Sequence, residues 1–170
     1  MGAIAAVRDS NLVADVGAFL AHEAALLDRR QWLDWLDLFA AETLYWAPVW
    51  NGDDEMTSDP SRQLSLIYAD RHELEARVFR IESDDSYASM PLPHTVHIVA
   101  CTGAQRSNRG TITAQANWIV HSFWRTSGAV LRAGRYEYEL EPRQDEFKIK
   151  SKKVFLHDDR VIGAIDLYNI

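Results

Sequence analysis

The six histidines are the residues of this sequence that invite a metal hypothesis. His94 and His97 form the closest pair, and in a helix their spacing would place both imidazoles on one face. Prolines precede the pair and β-branched residues surround it, which is typical of a strand. Because side chains three positions apart in a strand point to opposite faces, we expect a core or surface placement rather than a chelate.

One catalytic arrangement is compatible with the sequence, a histidine beside a carboxylate in a cavity that separates their pKa values. The candidates are His97 or His121 together with Asp34 or Asp37. Both aspartates fall on the polar side of a predicted helix, so we expect them to be solvated. A lyase or isomerase that uses such a pair therefore stays open as an alternative function, and so does a small-molecule binding module.

The single cysteine, Cys101, excludes an iron–sulfur cluster held within this chain, because each cluster type needs at least two cysteines. Cys101 lies in an apolar stretch and is expected to be a small buried hydrophobe. The acidic loop at 51–60 lacks the spacing of a calcium-binding loop, and the sequence contains neither a phosphate loop nor a nucleophile motif. We predict no catalytic, metal-binding or cofactor-binding residue in this chain.

The composition indicates one globular domain that spans 1–170, with 1–10 as a flexible N-terminal arm. The 170 residues are 47% apolar and carry 25 acidic against 18 basic side chains, a net charge of −7. No basic run suggests nucleic-acid binding, and no segment reaches the ~20 apolar residues of a membrane span. Without a recognisable secretory signal, we expect a cytoplasmic protein.

The first half of the chain shows mainly helical periodicity. An amphipathic helix is predicted over 11–27, in which Glu23 falls inside the apolar stripe and is expected to snorkel to the surface. Asp28 is predicted to cap a second helix that places Trp32, Leu36 and Phe39 on one face. A strand at 43–50 and a third helix over 70–82, with a capping box at its start, complete this half.

The second half predicts long strands at 94–102, 110–125, 129–141 and 147–156 and a final strand at 160–170. A change of parity between Ile149 and Val154 indicates a bulge near 151–153, and the lysines at 148, 150, 152 and 153 are expected mainly on one solvated face. Helices followed by strands predict an α+β domain in which N-terminal helices pack inside a long, curved, antiparallel sheet shaped like a cone.

Several segments resemble the small or beta subunit of aromatic-ring-hydroxylating, Rieske non-heme iron dioxygenases. They are 30–49 (RQWLDWLDLFAAETLYWAPV), 65–68, 70–71, 74–78, 97–99 and 148–158. Within that family, 54–57 with 59–60, 77–81 (RVFRI) and 166–170 (DLYNI) most resemble the benzoate and anthranilate 1,2-dioxygenase group.

The resemblance implies a cone-shaped, NTF2-like (cystatin-like) fold and a structural role in a complex of three large and three small subunits. The large subunit would carry the Rieske [2Fe–2S] cluster, the mononuclear Fe(II) and the pocket for an aromatic carboxylate. Electrons would come from NADH through a reductase or ferredoxin, and both atoms of O₂ would be added to the ring.

The aromatic content of 11% exceeds what a lone domain of this size can easily cover, which favours a protein partner. The residues expected at the subunit interface are Tyr45, Trp46, Trp50, Tyr68, Arg71 and Arg77.

Overall fold

The structure, a computed structural model, describes residues 10–83, 91–144 and 146–170. In this part of the chain the helices are α1 (Ser10–Asp28), α2 (Trp32–Asp37) and α3 (Arg71–Glu82), and a short 3₁₀ helix spans Leu167–Asn169. The strands are β1 (Phe39–Pro48), β2 (Ser65–Asp70), β3 (His94–Arg106), β4 (Ile112–Trp124), β5 (Gly128–Arg143) and β6 (Glu146–Leu156). Apart from Ser10, the predicted N-terminal arm lies outside the described residues.

All six strands form one sheet in the order β2-β1-β6-β5-β4-β3. Every neighbouring pair is antiparallel except β1 and β6, which run parallel, so the prediction of a wholly antiparallel sheet is wrong at this junction. The Thr43 hydroxyl joins the two strands there by donating to the backbone carbonyl of Ile149 at 2.9 Å. The last strand thus lies in the middle of the sheet, beside the first.

The core lies between the helices and one face of the sheet, which we call the inner face. β4 shows why, because its alternate residues from Ile112 to Ser122 are buried and the residues between them are exposed. Trp118 of this strand stacks on Tyr136 of β5 with ring centroids 5.2 Å apart. The period-two pattern predicted for β4 is confirmed.

A bulge in β6 reverses which of its residues face the core. Glu139 of β5 pairs with Ser151, whereas the next residue, Leu140, pairs with Ile149, so Lys150 is the extra residue. Ile149 and Lys152 therefore both point inward. A bulge is confirmed, one position before the predicted range, and the expectation that Lys152 is solvated is wrong.

The starts of α3, α2 and β1 can be compared with the predicted boundaries. The Asp70–Glu73 capping box at the start of α3 is confirmed. Asp28 does not cap α2, whose first turn follows Gln31 without a side-chain cap. Phe39 begins β1 rather than ending the helix.

The C-terminal segment is not the predicted strand. Residues 157–164 are irregular, and Asp166 then caps the 3₁₀ helix in a reciprocal capping box with Asn169. Asp166 also pairs with Arg77 of α3 at 3.3 Å, and Leu167, Tyr168 and Ile170 are buried in the core. Side-chain bonds to the backbone of this segment replace the ladder of a seventh strand.

Candidate subunit interface and the interior of the cone

The interior of the cone contains a buried ion pair instead of an open cavity at Glu23. Its carboxylate accepts hydrogen bonds from the Lys152 ammonium at 2.7 Å, the Tyr138 hydroxyl at 2.8 Å and the Trp35 indole at 3.3 Å. Glu23 is thus a buried acid, and the expectation that it snorkels is wrong. The bulge that turns Lys152 inward supplies the counter-charge that makes its burial tolerable.

Aromatic rings enclose this ion pair. Lys152 Nζ lies 4.2 Å from the ring centroid of Tyr136, and Trp35 packs edge-on against Phe39. Burial, reinforced by the negative charge of Glu23, raises the pKa of the Tyr45 and Tyr138 hydroxyls well above their usual range. These hydroxyls are therefore neutral at physiological pH, and the region around Glu23 is filled by packed side chains.

The histidine–carboxylate pair proposed as an alternative catalytic site is not the one that forms. His121, Asp34 and Asp37 are exposed, whereas His97 contacts Asp28 with its Nδ1 2.6 Å from Oδ1. Asp28 also accepts from the backbone N–H of His97 at 2.9 Å. Burial raises the pKa of Asp28, but the hydrogen bonds from His97 outweigh it and leave that pKa below its usual value. Spacing along the sequence did not connect these two residues, which are 69 positions apart.

His94 and His97 lie on opposite faces of β3, as predicted, with His94 exposed. Within 10–83, 91–144 and 146–170, no three His, Cys, Asp or Glu side chains are grouped as metal ligands would be. Cys101 is half-buried in β3, and its thiol contacts the carbonyl of Gly103 at 3.7 Å. None of the helices in this part of the chain is both long and apolar enough for a membrane span.

The six residues predicted at a subunit interface occupy different environments. Tyr45 is buried in the core. Trp46, the next residue of β1, lies on the outer face, where it is 6% exposed and its indole donates to the Ser65 hydroxyl at 2.9 Å. Trp50 is half-buried and donates to the carbonyl of Leu156 at 3.1 Å. Tyr68 is 48% exposed on β2. Of the four aromatic candidates, Tyr68 therefore offers the most surface to a partner.

The two arginines in that set make contacts within the chain. Arg71 donates to the backbone carbonyls of Leu36 and Phe39 at 2.8 and 3.0 Å and pairs with Glu75. Arg77 pairs with Asp166, as described above. Both side chains are about three-quarters buried, so they fix α3 to α2, β1 and the C-terminal segment.

Near Tyr68, α3 contributes one wall of an open groove of about 600 Å³. Phe79 is 68% exposed there, and Arg80 and His72 lie beside it. An exposed aromatic side chain beside an arginine resembles the composition of protein interfaces, and Glu73 and Glu75 line the same groove.

A second exposed apolar surface lies on the outer face of the sheet, the face turned away from the core. Five large side chains on three adjacent strands are each 42–64% exposed: Val96, Ile98, Ile119, Phe123 and Leu131. The register makes them one patch, because Ile98 pairs with Ile119 while His121 pairs with both Val96 and Leu131. We call these five residues the outer apolar patch.

Only two of these five residues are recognisable from the sequence as outward-facing apolar side chains. Ile119 and Phe123 stand out as apolar residues on the polar face of β4. Val96, Ile98 and Leu131 were not distinguished, because continuous apolar stretches of β3 and β5 do not show which residues face outward. Patches of this size on an isolated chain mark sites of interaction.

The comparisons with known proteins agree on one family. The model for "Ring hydroxylating beta subunit" matches residues 22–162. The beta subunit of benzoate 1,2-dioxygenase from Acinetobacter baylyi is 36% identical over 167 residues, which are 97% of this chain and 98% of the relative. The small subunit of 2-halobenzoate 1,2-dioxygenase from Burkholderia cepacia is 37% identical over 157 residues, covering 92% and 94%.

Solved structures give the same result for the fold. The crystal structure of the benzoate 1,2-dioxygenase beta subunit from Burkholderia mallei superposes with a TM-score of 0.76 at 33% identity and covers 100% of both chains. A chain of naphthalene 1,2-dioxygenase with indole bound gives 0.78 at 16% identity over 95% of this chain and 86% of that one, a likeness of fold alone. Such beta subunits have the NTF2-like fold, so the predicted cone-shaped α+β domain is confirmed.

Proposed function

Since the chain belongs to the family of ring-hydroxylating beta subunits, we propose that it is the small subunit of a dioxygenase that cis-dihydroxylates an aromatic carboxylate. Relatives named for benzoate, 2-halobenzoate, toluate and anthranilate dioxygenases support a substrate of this class. The family assignment favours this function over a lyase or isomerase that works through a histidine–carboxylate pair.

The role of this chain in the complex is structural, and the outer apolar patch is the observation that carries this conclusion. Five large apolar side chains exposed on adjacent strands are costly in water, at about 25 cal/mol for each Å² of apolar area. A neighbouring subunit that covers the patch removes this cost. The buried pair of Glu23 and Lys152 meanwhile makes the cone a rigid support.

The catalytic groups belong to the partner, the large subunit. A lone cysteine cannot hold a [2Fe–2S] cluster, so the Rieske centre and the mononuclear Fe(II) are assigned to that subunit. We assign three large and three small subunits to the complex, with electrons drawn from NADH through a reductase or ferredoxin to reduce O₂. The whole assembly is placed in the cytoplasm.

Contacts with the partner also involve the groove beside α3. Tyr68 and Phe79 are the side chains there with free apolar area, and they are proposed as direct contacts together with Trp50. Arg71 and Arg77 act by holding α3 in place. Tyr45 is not carried into this proposal because its side chain lies in the core, and Trp46 is not carried because Ser65 and Lys153 of this chain already cover it on the outer face.

Co-expression with the large subunit tests the structural role. The double variant Ile98→Lys/Leu131→Lys places two charges in the outer apolar patch, and we expect at least a tenfold loss of assembled complex on size-exclusion chromatography. Gln115→Lys is the matched control, because Gln115 is an exposed outer-face residue of β4 away from the patch. Equal assembly of all three proteins would contradict the role given to the patch.

Purification of the chain alone tests the assignment of the catalytic groups. We expect neither iron nor visible absorbance in stoichiometric amount, and no ring dihydroxylation without the large subunit. Stoichiometric iron, or product formed by this chain alone, would overturn that assignment.

A further inference from the structure

Three buried polar atoms at one end of the inner face lack a hydrogen-bond partner among the described residues: His97 Nε2, Ser122 Oγ and Arg132 Nη1. The His97 side chain and Ser122 are each 1% exposed, and Arg132 is 4% exposed. A buried polar group without a partner costs about 1–3 kcal/mol, so three of them together call for an explanation.

The register of the sheet places Ser122 diagonally next to both His97 and Arg132 on the inner face. Val120 of β4 pairs with His97 of β3 on one side and with Arg132 of β5 on the other. Ser122 is the next residue of β4 that faces the core. Diagonal same-face neighbours on adjacent strands lie roughly 7–8 Å apart, whereas His97 and Arg132 are two strands apart with Val120 between them. The Ser122 hydroxyl is therefore the atom that one small ligand could share with each of the two longer side chains.

Asp28 fixes the orientation of the His97 ring. A carboxylate can only accept, so the nitrogen 2.6 Å from Asp28 Oδ1 is the protonated Nδ1. The Thr95 hydroxyl donates to the same oxygen at 2.9 Å and fixes Asp28 further. Asp28 therefore holds the ring from one side, and Nε2 projects from the opposite side.

Arg132 supplies a buried positive charge that has no direct ion-pair partner among the described residues, although the Asp158 carboxylate attracts it from a longer distance. Its Nη2 donates to the backbone carbonyls of Ile162 and Ala164 at 2.7 and 3.4 Å, and no carboxylate of the described residues lies within 4.0 Å of its guanidinium. Burial lowers the pKa of Arg132 from its usual value, which is the expected effect of a cation in an apolar setting. A buried guanidinium that is bound only to carbonyls favours an anion at its free nitrogen.

We propose that His97, Ser122 and Arg132 form a binding site for a small carboxylate anion inside the cone. Arg132 Nη1 and the Ser122 hydroxyl donate to the two carboxylate oxygens, and the protonated form of His97 donates through Nε2. The three atoms are closed to solvent, which restricts the ligand to the size of formate or acetate. This site is separate from the outer apolar patch, so it does not depend on the role proposed for that surface.

Titration of the full-length chain with ¹³C-labelled acetate, at constant ionic strength set with sodium chloride, tests the site. NMR of the labelled carboxyl is expected to show saturable binding. Ser122→Ala is the main variant, because it removes one donor at nearly constant volume and leaves the contacts of Arg132 with the C-terminal segment. We expect at least a fivefold increase in the Kd for acetate in this variant.

Arg135→Met is the matched control, since Arg135 is an exposed arginine on the same strand whose guanidinium stacks on Phe155 at 3.8 Å. Its Kd for acetate should equal that of the wild type. The proposal is overturned if acetate does not bind saturably, if Ser122→Ala binds it as the wild type does, or if a crystal grown in acetate shows only water between the three atoms.

Discussion

Lys152 Nζ lies 2.7 Å from Glu23 Oε1, and both side chains are at least 97% buried. The pair joins the middle of α1 to the middle strand β6 across the core. Bonds from Tyr138 and Trp35 to the same carboxylate provide the additional partners that a buried charge requires. These two residues, 129 positions apart in the chain, thus fix the distance between helix and sheet.

Lys152→Met should destabilise the chain strongly. The substitution preserves most of the side-chain volume but leaves the Glu23 carboxylate buried without a countercharge, which typically costs about 3–5 kcal/mol. Urea unfolding followed by tryptophan fluorescence measures the change in the free energy of unfolding.

Lys150→Met is the control for that measurement, because Lys150 is the exposed extra residue of the bulge and its contact with Glu139 is 4.0 Å long. We expect it to change the free energy of unfolding by less than about 0.5 kcal/mol. The double variant Glu23→Leu/Lys152→Met should recover most of the lost stability. If Lys152→Met alone is as stable as the wild type, the pair does not contribute as described.

The stabilising effect of Asp28 should depend on pH with a defined sign. Its pKa in the folded chain is below its usual value, so its contribution is fully present above the pKa of an unfolded aspartate, about 3.9, and is lost as pH falls through the folded value. The difference in the free energy of unfolding between wild type and Asp28→Asn should therefore be constant near pH 7 and shrink below about pH 4.

Asp53→Asn is the comparison for this pH series, because Asp53 is exposed in the loop after β1. Its difference from wild type should stay small throughout. A difference for Asp28→Asn that failed to shrink below about pH 4 would show that the hydrogen bonds from His97 do not stabilise the ionised carboxylate.

Gly134→Ala should disrupt the junction of β5 and β6. A Cβ atom at this position would lie 1.9 Å from the carbonyl oxygen of Phe155 and 3.0 Å from the Trp118 ring, so the backbone of β6 would have to move. Overpacking of this kind costs about 1–3 kcal/mol, and contact with backbone places the expected loss near the upper end.

The loss in Gly134→Ala can be measured by thermal unfolding beside Gly103→Ala. Gly103 also lies in a strand, but a Cβ there has no neighbour within 4 Å. We expect Gly103→Ala to be neutral or to stabilise the chain by about 0.4–1 kcal/mol, because alanine restricts the unfolded chain more than glycine does. Equal effects of the two substitutions would show that the packing beside Phe155 is not decisive.

Asp70→Ala removes the side chain that caps α3. The Asp70 carboxylate accepts from the backbone N–H of Glu73 at 2.9 Å, and loss of such a cap costs about 1 kcal/mol. Urea unfolding should detect that loss, whereas Asp54→Ala in the exposed loop should leave the midpoint unchanged. An unchanged midpoint for Asp70→Ala would contradict the capping role.

Local signals in the sequence were sufficient for most of the elements, but not for β2, which was not predicted, for the C-terminal segment, or for the contacts between distant segments. The α3 capping box and the alternation in β4 depend on neighbouring residues, and both were predicted correctly. The bulge in β6 was visible as a change in parity. Its consequence, the inward turn of Lys152, was missed because a lysine is expected at the surface when its partner in α1 is unknown.

The candidate site residues were also predicted incorrectly where their contact partners lie far away in the sequence. Asp28 was assigned to a helix cap because the spacing to Gln31 fits a capping box, yet its carboxylate is used by His97, 69 residues away. A final strand was predicted at 160–170 after the turn at 158–159, but the Asp166 and Asn169 side chains satisfy the backbone there instead. The proposed function came from the resemblance to a family, because no residue motif in this chain indicates it.

The parallel pairing of β1 with β6 also constrains how the chain folds during synthesis. More than 100 residues separate Thr43 from its hydrogen-bond acceptor at Ile149, so β1 has only β2 as a partner until β6 has left the ribosome. At about 5–20 residues per second, the aromatic side chains of β1 wait for seconds before the sheet closes over them. Because the last strand lies beside the first, we expect the newly made chain to need a chaperone early. Without one, we expect it to refold slowly.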